Sequence, residues 1–252
     1  MNKPHIMAAP NGARRQKTLH PALPITIAET VAAAKACNSA GADALHLHVR
    51  DSKGRHSLDA GLYREALAEM ENHVPEMPVQ ITTESAGIYD TDAQFACLTA
   101  LTPRAASISV REVARMPELA PRIYGLCAEA GTEVQHILFD SADLAQLNLW
   151  RRQGVIRADQ RDVILVLGAY DPPREAELRE LAPRVGELPG DLTWSVCAFG
   201  RHEHACLIEA ARLGGSLRVG FENNVLRPDG KAYSDNADSV ARLVAEIKGA
   251  SE

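Results

Sequence analysis

The strongest constraint on the fold of this chain is an alternation. Short apolar runs rich in β-branched residues trade places with longer segments of helical period, eight times over. Strands are predicted near 5–9 (HIMAA), 44–49 (ALHLHV), 78–82 (PVQIT), 105–109 (AASIS), 132–138 (TEVQHIL), 162–168 (DVILVLG), 193–198 (TWSVCA) and 216–220 (SLRVG). Helices are predicted near 26–40, 59–73, 91–101, 116–130, 141–153, 174–184, 202–213 and 235–248. Thr26 and Glu29 have the spacing of a capping box, and Gly41, Gly131 and Gly214 stand where helices should stop. Strict alternation implies right-handed βαβ units and a parallel sheet. Eight repeats close a barrel, and 252 residues is an ordinary length for one. The expectation is an α/β chain forming one (βα)8 TIM barrel domain over residues 1–252. A doubly wound open sheet is the alternative. No break in composition divides the chain.

Charge and cysteine usage narrow the partners. The net charge is −6, and the 27 basic residues are scattered rather than gathered in a stripe, which argues against nucleic acid as a partner. No apolar run approaches the ~18 residues of a membrane span, and the first residues lack a signal peptide's apolar core. The five cysteines are odd in number and contain no C-x-x-C. They read as reduced thiols of a cytoplasmic protein.

One strand carries an anomaly. In ADALHLHVRD, residues 42–51, His46 and His48 alternate with Leu45, Leu47 and Val49. Alternation along a strand sends both imidazoles to one side. The leucines and valine suit the layer facing the helices, so the histidines point into the barrel mouth, where barrel active sites lie. A lone histidine there is usually satisfied by a carbonyl. Two at i and i+2 each need partners for both ring nitrogens, and a divalent metal supplies one to each. A catalytic metal wants a third ligand, and Glu222 at the end of strand eight can reach the same mouth. Other polar residues share the rim: Gln80, Thr82 and Glu84 on strand three, Ser107, Ser109 and Arg111 on strand four, Asn11 and Arg14 on the first loop. Hydroxyls, cations and carboxylates around a Lewis acid suit a small, oxygen-rich anion. No G-x-G-x-x-G or P-loop pattern calls for a nucleotide cofactor.

In combination, AAPNGARR, HPALPIT, AGADALHLHVRD, QITTES, WSVCAFGR and GGSLRVGFENN resemble the β-keto acid cleavage enzymes, the family typified by 3-keto-5-aminohexanoate cleavage enzyme. The resemblance runs over nearly the whole length. It implies a (βα)8 barrel, a zinc ion or another divalent metal, acetyl-CoA as co-substrate and a homotetramer. The implied reaction joins a β-keto acid to acetyl-CoA and releases acetoacetate and a new CoA ester. By resemblance His46, His48 and Glu222 are the metal ligands, and Arg218 is the arginine beside the catalytic acid. Thr82, with its neighbour Thr83, and Ser107 and Ser109 match positions that hold the substrate carboxylate, with Asn11 on the same rim.

Three positions depart from the type member. Asn223 stands where it has an aspartate acting as base. An amide has no useful basicity, so Glu84, where the type member has glycine, is the candidate replacement. Arg14 stands where the type member has a glutamate that recognises an amine, so an amino-substituted substrate is not expected. Ser109 replaces an asparagine. Arg14 and Glu84 could also pair with each other. Two competing readings are a metal-dependent hydrolase, which would want His136 on strand five as a further ligand, and a barrel that binds a small acid without turning it over. His20, His56, His73, His202 and His204 read as loop or helix-surface residues.

Overall fold

The computed structural model describes residues 3–170 and 172–250. Eight parallel strands close into a barrel: β1 (Ile6–Ala8), β2 (Ala44–Leu47), β3 (Val79–Thr82), β4 (Ala105–Ser109), β5 (Glu133–Leu138), β6 (Asp162–Leu167), β7 (Thr193–Ala198) and β8 (Ser216–Val219). β8 pairs with β1 to complete the ring, with Met7 opposite Arg218. The sequence alternation is therefore a barrel and not an open sheet. A helix follows each strand: α1 (Ile27–Ala40), α2 (Ala60–His73), α3 (Thr91–Leu101), α4 (Ala120–Ala130), α5 (Ser141–Arg152), α6 (Leu181–Gly186), α7 (Glu203–Arg212) and α8 (Asn236–Gly249). Among the described residues no helix is long and apolar enough to cross a membrane.

Local chemistry sets these boundaries. Thr26 Oγ1 accepts from the Glu29 amide at 3.2 Å and Glu29 Oε2 accepts from the Thr26 amide at 3.0 Å, so the capping box starts α1 as expected. Gly41 closes the same helix in the left-handed region, at φ +111°. The outward strand residues Leu45, Leu47, Ile81, Ile108, Val134, Val163 and Leu165 are buried in one core cluster together with the inner faces of the helices. Burying each such side chain contributes about 1.5–3 kcal/mol, so strand parity is firmly fixed.

Three regions differ from expectation. Residues 174–184 do not form one helix. Ala169–Tyr170 pairs with Pro173–Arg174 in a hairpin, and only then come a 3₁₀ turn and the short α6. Pro173 has no N–H for a helical ladder, and the hairpin uses the residues that would have begun the helix. A second hairpin pairs Val49–Arg50 with His56–Ser57 directly after β2. Finally, His20, His56 and His204 are buried, not on the surface. His20 packs edge-on to Phe221, and His204 lies between Tyr233, Ser239 and Glu246. His73 and His202 are exposed as expected.

Candidate active site

The site forms where β2 and β8 end at the barrel mouth. His46 is the third residue of β2 and faces inward, opposite Gln80 on β3. The ladder stops at Leu47, and His48 follows one residue later. Both imidazoles are 1% exposed, and their Nε2 atoms lie 3.1 Å apart. Beyond β8 the chain bends at Gly220, at φ +144°, where a Cβ would stand 2.5 Å from the Ala9 carbonyl oxygen. Only glycine tolerates both the dihedral and the approach. The bend lets the Glu222 amide donate to Ala9 O at 3.0 Å and brings its side chain over the histidines. Gly12 completes the fit, since a Cβ there would sit 2.6 Å from Glu222 Cγ.

Glu222 Oε1 is 3.4 Å from His48 Nε2, and its Oε2 is 3.7 Å from His46 Nε2. One donor atom from each of the three residues falls within 4.8 Å of the others. The hydrogen bonds fix the tautomer of His46. Gln80 Oε1 accepts from Arg218 Nη2 at 2.8 Å, so this atom is an acceptor, and His46 Nδ1, 2.9 Å away, must donate to it. His46 Nε2 therefore turns a lone pair toward His48 and Glu222, and Arg218 Nη1 reaches it at 3.4 Å. Burial and the Arg218 charge hold the His46 imidazole well below its ordinary pKa, so it is neutral. Burial opposes ionisation of Glu222, but His48 and Arg218 outweigh it and hold the carboxyl well below its usual range. Glu222 Oε2 and His48 Nδ1 are buried with no hydrogen-bond partner among the described residues. A metal fits this set: two imidazoles and a carboxylate, with a second-layer acceptor orienting one ring, match three protein ligands and an open position.

Around this centre the expected residues divide. Arg218 is 4% exposed and forms no ion pair with a carboxylate among the described residues; its fork is held by Gln80 Oε1 and Gln135 Oε1, the latter at 2.5 Å. Its Nε has no partner, nor does the hydroxyl of buried Ser109. Thr82 and Ser107 share a hydroxyl hydrogen bond of 3.2 Å on the inward face. Thr83 points the other way, its hydroxyl on Ser107 O at 3.2 Å. Asn11 works from behind, donating to Pro24 O at 3.1 Å and His48 O at 3.4 Å. Arg111 is drawn off the rim by Asp143 and Asp140. Glu84 stands 4.0 Å from His48 Nε2. Burial pushes its carboxyl up to about 7, opposed by His48, reinforced by Glu222 and Glu112, and opposed again by Arg14. Arg14 Nε is 3.9 Å from Glu84 Oε1, a loose pair, with the arginine side chain 44% exposed. Asn223 is 1% exposed and bonds backward, to Glu203 and to Arg218 O.

Several supporting residues carried no legible signal. Arg50, two residues after His48, donates to Gly54 O, Asn11 O, Gly12 O and Arg15 O and so clamps the first loop. Its place in HVRD is the one hint the sequence offers. His56 Nε2 donates to Glu84 O at 2.7 Å, and its ring lies 5.4 Å from that of His48. Tyr170, from the hairpin after β6, donates its hydroxyl to Glu222 O, with the guanidinium groups of Arg14 and Arg15 each 5.9 Å from its ring. His136 lies on the outer face of β5. Its Nε2 donates to Gln160 O at 3.1 Å and its ring packs on Tyr124, while the adjacent Gln135 points inward to Arg218. It cannot serve the ligand set that the hydrolase reading required.

Known proteins resemble this chain over nearly its whole length. The chain is 29% identical over 256 residues to a 3-keto-5-aminohexanoate cleavage enzyme of Fusobacterium nucleatum, covering 98% of this chain and 92% of that one. It is 26% identical over 261 residues to a 3-oxoadipate:acetyl-CoA acetyltransferase of Cupriavidus necator, covering 97% and 89%. The solved apo structure of ObcA shares the fold at a TM-score of 0.65 and 16% identity; the match covers 92% of this chain and spans 63% of that chain's length. The sequence model of the beta-keto acid cleavage enzymes matches residues 3–251, end to end over the barrel just described, and the chain belongs to that family.

Proposed function

We propose that this enzyme is a zinc-dependent β-keto acid cleavage enzyme acting on a neutral or carboxylate-bearing keto acid, with acetyl-CoA as co-substrate, in a cytoplasmic homotetramer. The observation that carries the reading is the convergence of His46, His48 and Glu222 inside a rim of unpartnered polar groups. When bound, the divalent ion supplies Lewis-acid polarisation of the keto carbonyl. Glu84 takes the proton from the carbon between the two carbonyl groups of the keto acid. That carbon forms a bond to the acetyl carbon of acetyl-CoA, and the thiolate leaves. The thiolate then attacks the original keto carbon. The bond to the new β-dicarbonyl unit breaks, the proton returns, and acetoacetate and an acyl-CoA depart. Arg218, with Nε free, stabilises the negative charge that develops. Thr82, Ser107 and Ser109 orient the carboxylate.

Charge supports the substrate class. A divalent ion, Arg218 and Arg14 outweigh Glu222 and Glu84, leaving a net positive mouth that favours an anion. Arg14 is half-exposed, so it opposes a substrate ammonium group by only ~1 kcal/mol. A 3-oxo diacid fits, and the Cupriavidus relative is named for 3-oxoadipate.

The test is a panel of β-keto acids, with and without acetyl-CoA, assayed for acetoacetate. Product that requires acetyl-CoA is expected. Hydrolysis without CoA, or no product, would overturn the reaction, and preference for an amino-substituted acid would overturn the substrate class. E84Q should lower kcat at least ~100-fold as the loss of a general base; full turnover would remove Glu84 from the mechanism.

A further inference from the structure

Behind the Glu222 turn lies a carboxyl group that the proposed reaction leaves unused. Glu203, the first residue of α7, is 0% exposed. Its Oε1 accepts from the Gly220 amide at 3.1 Å and from Asn223 Nδ2 at 3.3 Å; its Oε2 makes no hydrogen bond of good geometry among the described residues, and the Asn224 side chain also lies beside the carboxyl. These contacts hold the two ends of the turn that presents Glu222. The turn is also tied elsewhere, since Asn223 O accepts from Arg15 Nη2 at 2.6 Å and from the Gly200 amide at 3.3 Å.

The orientation of the Asn223 amide follows from its neighbours. Nδ2 faces two oxygens, Glu203 Oε1 and the Arg218 carbonyl, the latter at 3.3 Å. A carbonyl can only accept, so the flipped amide would set oxygen against oxygen. The Asn223 Oδ1 is thereby left as the buried atom without a donor. A buried acceptor without a donor is costly, so this oxygen is ready for the O–H of a water. With Glu203 ionised, the Asn223 amide supplies the donor between the two side chains.

We propose that Glu203 is a positioning residue of the active site, the carboxyl member of an acid–amide pair that fixes the Glu222 turn and leaves the Asn223 carbonyl oxygen free for an incoming donor. The pair explains how this chain accommodates an amide at 223. A carboxyl group stands one hydrogen bond behind the turn, at the start of α7. Once Glu203 is ionised, an aspartate at 223 would remove the donor and set two carboxylates face to face. The proposal rests on reading Glu222 as a metal ligand only for its effect on zinc. The pairing itself can be measured without metal or substrate.

The experiment is a double-substitution cycle on the full-length protein, read first by thermal unfolding without metal at about pH 9, where Glu203, pushed up to about 8, is ionised. N223D should lower the melting midpoint by about 5 °C, and N223D/E203Q, which returns a donor from the opposite side, should recover most of it. N223D melting at or above the wild type, or a double variant no better than N223D, folded or not, would overturn the pair. Zinc affinity by chelator competition reads the positioning role. E203A should weaken zinc binding at least ~10-fold and E203Q much less. Equal affinity in wild type and E203A would leave the pair merely structural and overturn the positioning role, and an E203A that does not fold leaves the decision to the N223D cycle. A wild type that binds no zinc would sink the metal reading and leave the thermal cycle standing.

Discussion

His46 and His136 stand on strands of the same barrel, and both are buried to within 1% exposure. His46 faces the barrel interior, among Gln80, Arg218, His48 and Glu222. His136 faces the layer between strands and helices, with one carbonyl and one tyrosine ring for company. Both imidazoles are held below their ordinary pKa, burial being the largest cause in each case, and His136 is brought down to about 4. Desolvation thus does not separate them. What separates them is the set of groups each meets, which the strand's parity decides. Inside, the acceptor on Nδ1 is fixed by an arginine and Nε2 meets two further candidate ligands. Outside, the ring fills space in the core and satisfies one carbonyl.

Four substitutions test that contrast. The largest effect belongs to H46A. Removing a ligand should cost zinc affinity more than the ~100-fold ceiling of outer-layer changes, with loss of acetoacetate formation; chelator competition that finds zinc binding intact would erase the distinction. Next comes Q80L, which deprives His46 Nδ1 of its acceptor and should weaken zinc about 10- to 100-fold with the ligands intact. H136L should leave zinc affinity as in the wild type and lower stability by about 1–3 kcal/mol in denaturant unfolding, because Gln160 O loses its donor. A metal defect in H136L would show that the outer layer reaches the site after all. The smallest effect is a pH dependence at Glu203. Burial pushes its carboxyl from 4.5 up to about 8. Between those values the folded chain binds more protons than the unfolded one, so stability falls as pH rises through the window. E203Q removes that fall, and its melting midpoint relative to the wild type should climb between about pH 5 and pH 8.5; a gap independent of pH would place the charge elsewhere.

Much of this was legible in the chain. Each strand was found close to its observed place because a period of two with β-branched residues has few other solutions. Thr26 and Glu29 announced the start of α1 through a contact three residues long. The inward direction of His46 followed from the apolar residues alternating with it. The segment at 174–184 misled because its helical composition hid the Pro173 hairpin. His56 and His204 misled because nothing beside them in sequence shows that Glu84 and Tyr233 come to meet them.

By itself the sequence determined the barrel, the side of each strand that faces inward, and the types of residue that reach the mouth. These depend on periodicity and on neighbours a few residues away. Only the tertiary structure decided that Arg14 and Glu84 stand 3.9 Å apart, that Tyr170 reaches over to Glu222, and that a buried carboxyl lies behind Asn223. Those contacts join separate elements across the closed ring. Their distances depend on how whole strands and loops pack, and no local pattern in the chain encodes them.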